Sequence, residues 1–229
     1  MNPPALSIVM PVLNEAQGIA STLEALSPVL ARSAELIIAD GGSSDGTVAL
    51  ASAQGSRVKV IAASQGRAQQ MNAGAQHASG HVLLFLHADT VLPDHADTLI
   101  AHALARDATV WGRFDVRIEG QSLLLPAIAS LMNLRSRWSG IATGDQAIFM
   151  TRHAFDQLGG FPVQPLMEDI EMSMRLRTLS RPACISERVT TSGRRWDSRG
   201  ALRTIALMWR LRFAYWRGVS AERLAAQYR

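Results

Sequence analysis

The chain has 229 residues, 48 % hydrophobic and 18 % charged, enough to bury one large core and unlike a disordered or fibrous protein. Its formal net charge of +4 is unevenly placed, because residues 188–229 hold ten Arg against Asp197 and Glu222 and leave the first 187 residues net negative. Lys59 is the only lysine, so the positive surface is built from guanidinium groups, which suit bidentate binding of phosphate or carboxylate.

The first apolar stretch, Ala5–Leu13, has no basic region before it, contains Pro11 and runs directly into Asn14-Glu15. It therefore reads as a buried strand, Leu6–Val12, and not as a secretion signal. Leu36–Asp40, Val58–Ala62 and Val82–His87 follow as short apolar, partly β-branched runs, separated by Ala/Gln-rich stretches of helical length. Such alternation specifies an α/β fold, an open, mainly parallel sheet flanked by helices. Three of the strands end in polar or glycine clusters: Asn14-Glu15, Asp40-Gly41-Gly42 and His87-Ala88-Asp89. Open α/β sheets bind ligands at the carboxyl ends of their strands, so these clusters are expected to converge.

After Asp107 the alternation weakens. Val110–Ile118 and Gln146–Met150 read as strands, Gln121–Arg137 as an apolar helix or loop, and Thr151–Leu158 and Glu168–Leu179 as helices, the second introduced by the turn Gly159-Gly160-Phe161-Pro162. The longest apolar uncharged run, Gly120–Leu134, is 15 residues with Pro126 inside it, short of the ~20 needed to span a bilayer. Gln121–Trp138 is either a core helix or a flap whose apolar face meets a lipid-like molecule while Arg135 and Arg137 meet phosphate. Cys184, the only cysteine, permits no intramolecular disulfide or multi-cysteine metal site and suits a reducing, cytoplasmic setting.

At the end of the chain, Arg199–Arg217 reads as one amphipathic helix. Arg199, Arg203, Arg210 and Arg217 form one stripe, and Leu202, Ile205, Trp209, Phe213 and Trp216 another. Such a helix suits peripheral contact with an anionic membrane, on the inner face of the cell, or packing on the domain. No nucleic-acid-binding motif accompanies the charge. The expected organisation is one domain over 1–190, in two halves (1–107 and 108–190), and a basic helical extension over 191–229.

Three constellations carry chemistry. In Asp40 through Thr47, a carboxylate leaving a strand can accept hydrogen bonds from a base or ribose, the glycines let a ligand approach the backbone, and Asp45 can cap the next helix. The segment lacks a phosphate-loop lysine and the GxGxxG spacing. His87 and Asp89, at i and i+2 of an extended segment, point to one side and can share a divalent cation, Mg²⁺ or, with an imidazole ligand, Mn²⁺. Glu168-Asp169 opens a helix, where carboxylates either favour the helix dipole or serve as a general base.

Pro11 through Glu15, Asp40 through Thr47, Gly66-Arg67 with Met71 through Gly74, His87-Ala88-Asp89, Gly144-Asp145-Gln146 and Glu168-Asp169, in this order, resemble glycosyltransferase family 2 of the GT-A fold, and in particular a compact bacterial subfamily. The resemblance covers residues 5–196 and implies that 1–107 is the nucleotide-binding half and 108–190 the acceptor half. It implies a nucleotide-sugar donor, inversion at the anomeric carbon and a divalent metal. Pro11, Leu13, Glu15 and Asp40, with Asp45 and Ala88 nearby, would hold the nucleotide-sugar, and Arg67 would lie near the diphosphate. Asp89, with His87 where the family has an aspartate, would ligate the metal. Asp169 would be the base, with Glu168 beside it. Asp145 and Gln146 would face an unidentified acceptor, lipid-linked in one reading. Arg195-Trp196 resembles the end of the family's Gln-x-x-Arg-Trp signature, with Ser192 in place of Gln, the arginine on diphosphate and the indole on the acceptor. Two alternatives stand beside this reading: a nucleotide-sugar-binding module without transferase activity, and a nucleotidyltransferase, although Pro11–Glu15 offers no Gly-rich basic loop.

Overall fold

A computed structural model describes residues 5–32, 34–53, 57–106 and 108–228. The half-domain boundary expected at residue 107, and the absence of a basic region before Ala5, concern residues outside these. Strand β1 (Leu6–Val12) is followed by α1 (Ile19–Arg32), β2 (Ala34–Asp40), α2 (Thr47–Ser52), β3 (Val58–Ala62), α3 (Arg67–His77), β4 (Val82–Phe85), β5 (Thr90–Val91) and α4 (Ala96–Leu104). Then come β6 (Trp111–Glu119), α5 (Leu125–Ser139), a 3₁₀ turn at Gly144–Gln146, β7 (Phe149–Thr151), α6 (Arg152–Gln157), α7 (Glu168–Leu176), β8 (Ala183–Ser192), α8 (Arg194–Arg199), α9 (Ala201–Trp216) and α10 (Ala221–Tyr228).

The strands form one sheet in the order β3-β2-β1-β4-β7-β6-β8-β5. The first four are mutually parallel; β7 runs antiparallel to β4 and β6, β8 parallel to β6, and β5 antiparallel to β8. Alternating strand residues feed two cores. Ile8, Met10, Leu36 and Leu84 meet α1, α4 and α5 on one face, while Val9, Leu83, Phe85 and Met150 meet α3, α6 and α7 on the other. Gly74 lets α3 lie close on β1, for a Cβ there would sit 2.4 Å from Val9 Cγ1. A third cluster, Leu166, Met167, Leu211 and Leu224, packs α9 and α10 against the segment leading into α7.

Three sequence expectations need correction. Residues 144–146 form a 3₁₀ turn, so the strand expected at Gln146–Met150 is only Phe149–Thr151. The single helix expected over Arg199–Arg217 is broken at Gly200, whose backbone (φ +83°, ψ 134°) cannot continue a helix, so Arg199 ends α8 and leaves the stripe. Strand β8, which sequence reading missed, pairs with β6 from Gly112 to Glu119 and runs past the boundary drawn at 190. Among the described residues no helix is long and apolar enough to cross a membrane.

Candidate active site

The loops after β1 and β2 are fastened to each other. Asn14 N–H donates to Ser43 Oγ (2.9 Å), Glu15 N–H to Thr47 Oγ1 (2.8 Å), Ala16 N–H to Asp45 Oδ2 (3.1 Å) and Ser44 N–H to Asn14 Oδ1 (2.8 Å). Asp40, buried at the end of β2, accepts from Gly42 N–H (3.0 Å) and Ser43 N–H (3.1 Å), which fixes the turn after the strand. Asp45 also accepts from Thr47 N–H at 3.0 Å, and the Thr47 hydroxyl holds its carboxyl below the ordinary range. Beneath the loops lies Gln70, which sequence reading did not single out. Its Nε2 donates to the carbonyls of Val12 (2.7 Å) and Ala39 (2.8 Å). Pro11 and Leu13 remain partly exposed above it.

The third strand end turns. Thr90 N–H donates to the His87 carbonyl (3.1 Å), so residues 87–90 are a turn and the same-side argument for an i, i+2 pair does not apply. The two side chains have different partners. His87 Nδ1 lies 3.4 Å from Asp145 Oδ1, and its ring packs against Gly144, while Asp89 Oδ2 lies 3.6 Å from Arg194 Nη2. Arg194 also reaches Glu15 Oε2 at 3.3 Å and so joins two strand ends. The Ala88 carbonyl accepts from Thr22 Oγ1 at 2.6 Å.

Arg67, His87, Gly144, Glu168 and Asp169 line one cavity, floored by Met71, Phe85, Ile148 and Phe161. Arg67 Nη1 bonds Glu168 Oε1 at 3.1 Å. Burial first, and the Asp169 charge second, push Glu168 up; burial opposes the Arg67 charge, but Glu168, Asp169 and Asp145 hold that guanidinium above its ordinary value. Asp169 is half-buried, with Oδ2 accepting from Gly144 N–H (2.9 Å) and Oδ1 from Ile170 N–H (2.8 Å). Desolvation opposes the Asp145 charge, but His87, Arg67 and Arg195 hold it below the ordinary range.

Two predicted contacts sit elsewhere. Gln146 is fully buried, takes a bond from Thr143 N–H (3.2 Å) and lies 3.4 Å from Asn133 Oδ1, so it holds its loop and is not presented to an acceptor. Trp196 packs partly buried against the core. Arg195 lies over the Tyr228 ring, 4.6 Å from its centroid, and is lowered by burial and then by Arg67.

Among the described residues no cluster of three or more His, Cys, Asp or Glu could cage a metal ion. The donor chemistry still fits a divalent metal shared with a ligand, because Mg²⁺ binds through one or two carboxylates plus substrate phosphates, and Asp89 is a partly exposed carboxylate at the strand ends.

An open α/β sheet whose strand ends gather carboxylates and arginines around one cavity is the architecture of a GT-A glycosyltransferase. The chain belongs to Glycosyl transferase family 2, whose description matches residues 7–161. The PGL/p-HBAD biosynthesis glycosyltransferase of Mycobacterium bovis (strain BCG / Pasteur 1173P2) is 30 % identical over 202 residues, covering 81 % of this chain and 74 % of that protein. Among solved structures, S. aureus TarS 1–349 superposes with a TM-score of 0.66 at 15 % identity, over 82 % of this chain and 60 % of that one. The mannosyltransferase PcManGT of Pyrobaculum calidifontis, solved with GDP-Man and Mn²⁺, superposes with a TM-score of 0.65 at 19 % identity, over 93 % of this chain and 62 % of that one. The chain thus spans about three-fifths of each of these structures.

Proposed function

We propose that the chain is an inverting glycosyltransferase that moves a sugar from a nucleotide-sugar to an acceptor hydroxyl. The observation that carries this reading is the division of labour in Glu168-Asp169. Glu168 is buried against Arg67, whereas Asp169 is half-exposed at the cavity, with each oxygen held by one backbone N–H and a lone pair left on each. Asp169 is therefore the carboxylate free to receive a proton. In the single displacement it takes the acceptor hydroxyl proton as the acceptor oxygen bonds to the anomeric carbon, and the bond from that carbon to the diphosphate breaks on the opposite side.

The other residues bind and orient. Pro11, Leu13, Glu15 and Asp40 hold the nucleoside above the loops fastened by Asp45 and Gln70, with Ala88, tied to Thr22, beside them. Arg67 and Arg195 face the diphosphate, and Arg194 keeps Glu15 and Asp89 together. Asp89 would hold Mg²⁺ or Mn²⁺, which would offset charge on the leaving diphosphate; PcManGT, solved with GDP-Man and Mn²⁺, supports such a pair. Asp145, oriented by His87, faces the acceptor.

The acceptor would approach past α5 and α9. Their outer faces leave Leu131, Leu134 and Trp138, and Trp209, Phe213 and Trp216, well exposed, with Arg203, Arg210 and Arg217 along the second. This pattern supports peripheral contact with an anionic membrane and access to a lipid-linked acceptor. A thermal-shift panel of nucleoside diphosphates and nucleotide-sugars with Mg²⁺ or Mn²⁺ tests the donor half. Selective stabilisation by one nucleotide is expected, about 2.7 kcal/mol at a hundredfold excess over Kd, with the metal's contribution lost in Asp89→Asn. No stabilisation by any nucleotide would refute it.

A further inference from the structure

Two arginines outside the donor-side set stand on the elements that adjoin the start of α7: the segment after α5 is bonded to it through Ala142 N–H and Ser173 Oγ (3.1 Å), and α9 packs Leu211 with Met167. Arg135 comes from α5 and Arg212 from α9. Nε and Nη2 of Arg135 are buried and have no hydrogen-bond partner. Burial and the charges of Arg212 and Arg113 push Arg135 down to about 10, and burial lowers Arg212. Neither forms an ion pair within 4 Å among the described residues, in contrast to Arg67 with Glu168, Arg113 and Arg137 with Asp115, and Arg194 with Glu15.

The acidic charges that act on Arg212 are Asp169 and Asp145, and Asp169 also acts on Arg135. These arginines therefore fall into two groups. Arg67, which lines the cavity, acts on Arg195, and Arg212 acts on Arg135. A guanidinium withdrawn from water without a partner costs several kcal/mol unless an anion completes its hydrogen bonds. Two planar guanidinium groups together match a phosphate or carboxylate.

We propose that Arg135 and Arg212 form a binding site for an anionic group, phosphate or carboxylate, carried by the acceptor next to the hydroxyl that Asp169 deprotonates. This rests on the glycosyltransferase reading and gives the acceptor a chemical class. The anion can belong to a lipid, whose chain would meet the apolar faces of α5 and α9, or to a soluble molecule.

The test titrates inorganic phosphate into the full chain with UDP or GDP and Mn²⁺ present in excess, so that the donor side is filled. Arg135→Gln and Arg212→Gln should each weaken phosphate binding about tenfold, with Arg135→Lys intermediate. Without phosphate, Arg135→Gln should keep or raise the wild-type Tm, because it removes a desolvated charge. Unchanged phosphate affinity in the folded variants, or a Tm loss in Arg135→Gln that identifies a structural arginine, overturns the proposal. A second arm compares dodecyl phosphate with glycerol phosphate: tighter binding of the first, lost in both Gln variants, assigns the anion to a lipid, and equal binding assigns it to a soluble acceptor. Failure of UDP and GDP to bind would count against the glycosyltransferase reading, whereas nucleotide binding without arginine-dependent phosphate binding counts against this site alone.

Discussion

Gln70 bridges two parallel strands with one amide nitrogen, and nothing in a helix sequence of Arg, Ala, Gln, Met and Asn announces it. The bond is made across 58 residues to Val12 and 31 to Ala39, distances over which local pattern carries no signal. Gln70→Ala would leave two buried carbonyls without this donor and is expected to lower the unfolding free energy by about 2 kcal/mol in urea titrations. A change below ~0.5 kcal/mol would mean that water or backbone replaces the amide. The carboxylates were more legible. Asp40 and Asp169 stand at a strand end and a helix start, positions that a chain reading can find, whereas the partners of His87 and Asp89 were misjudged because an extended segment was assumed where the backbone turns. Arg135 and Arg212, 77 positions apart, become neighbours only through the packing of α9 beside α7.

At the scale of elements, β1, β2 and β4 were readable because strands buried on both faces are continuous apolar runs, and β3, a partly exposed edge strand, through its β-branched Val58, Val60 and Ile61. Strand β8 was not: Ala-Cys-Ile-Ser-Glu-Arg-Val-Thr-Thr-Ser mixes polar and apolar residues without alternation, and its pairing with β6 shifts register between Phe114 and Asp115. That strand delivers Arg194 and Arg195 to the site, so missing it left their position resting on motif alone. The opposite ends of the parallel strands are tied by Glu35, whose Oε1 accepts from Ser7 Oγ (2.6 Å), Ser79 N–H (2.6 Å) and Ser79 Oγ (2.9 Å). Partial burial opposes its charge, but these bonds outweigh burial and hold Glu35 below its ordinary 4.5. Its stabilisation is therefore complete above that pH and is lost as the pH falls through the folded-state value. Glu35→Gln should cost about 1 kcal/mol at pH 7, and the gap from wild type should close as unfolding is followed down from pH 5. A constant gap would contradict the assignment.

For the whole molecule, the positive C-terminal charge divides by location. Arg194 lies beside Glu15 and Asp89 at the strand ends, Arg195 lies over the Tyr228 ring, Arg199 bonds the Tyr228 carbonyl at 3.0 Å, and Arg203, Arg210 and Arg217 flank the exposed aromatic face of α9. This helix packs on one side and is exposed on the other: Thr204 and Leu211 are buried, while Trp209 is 74 % and Trp216 78 % exposed. With vesicles containing anionic lipid, the chain should co-float at 0.1 M salt and much less at 1 M, where the screening length falls from about 10 Å to 3 Å. The triple variant Trp209→Ser, Phe213→Ser, Trp216→Ser should lose co-flotation at both; flotation equal to wild type would exclude this face as the contact.

The central claim, that Asp169 accepts the acceptor's proton, is tested most directly in single-turnover transfer from the nucleotide-sugar that the binding panel selects. Asp169→Asn should bind that donor within about twofold of wild type and transfer about 10²–10⁴ times more slowly. An Asp169→Asn protein that binds donor and transfers at the wild-type rate would contradict it.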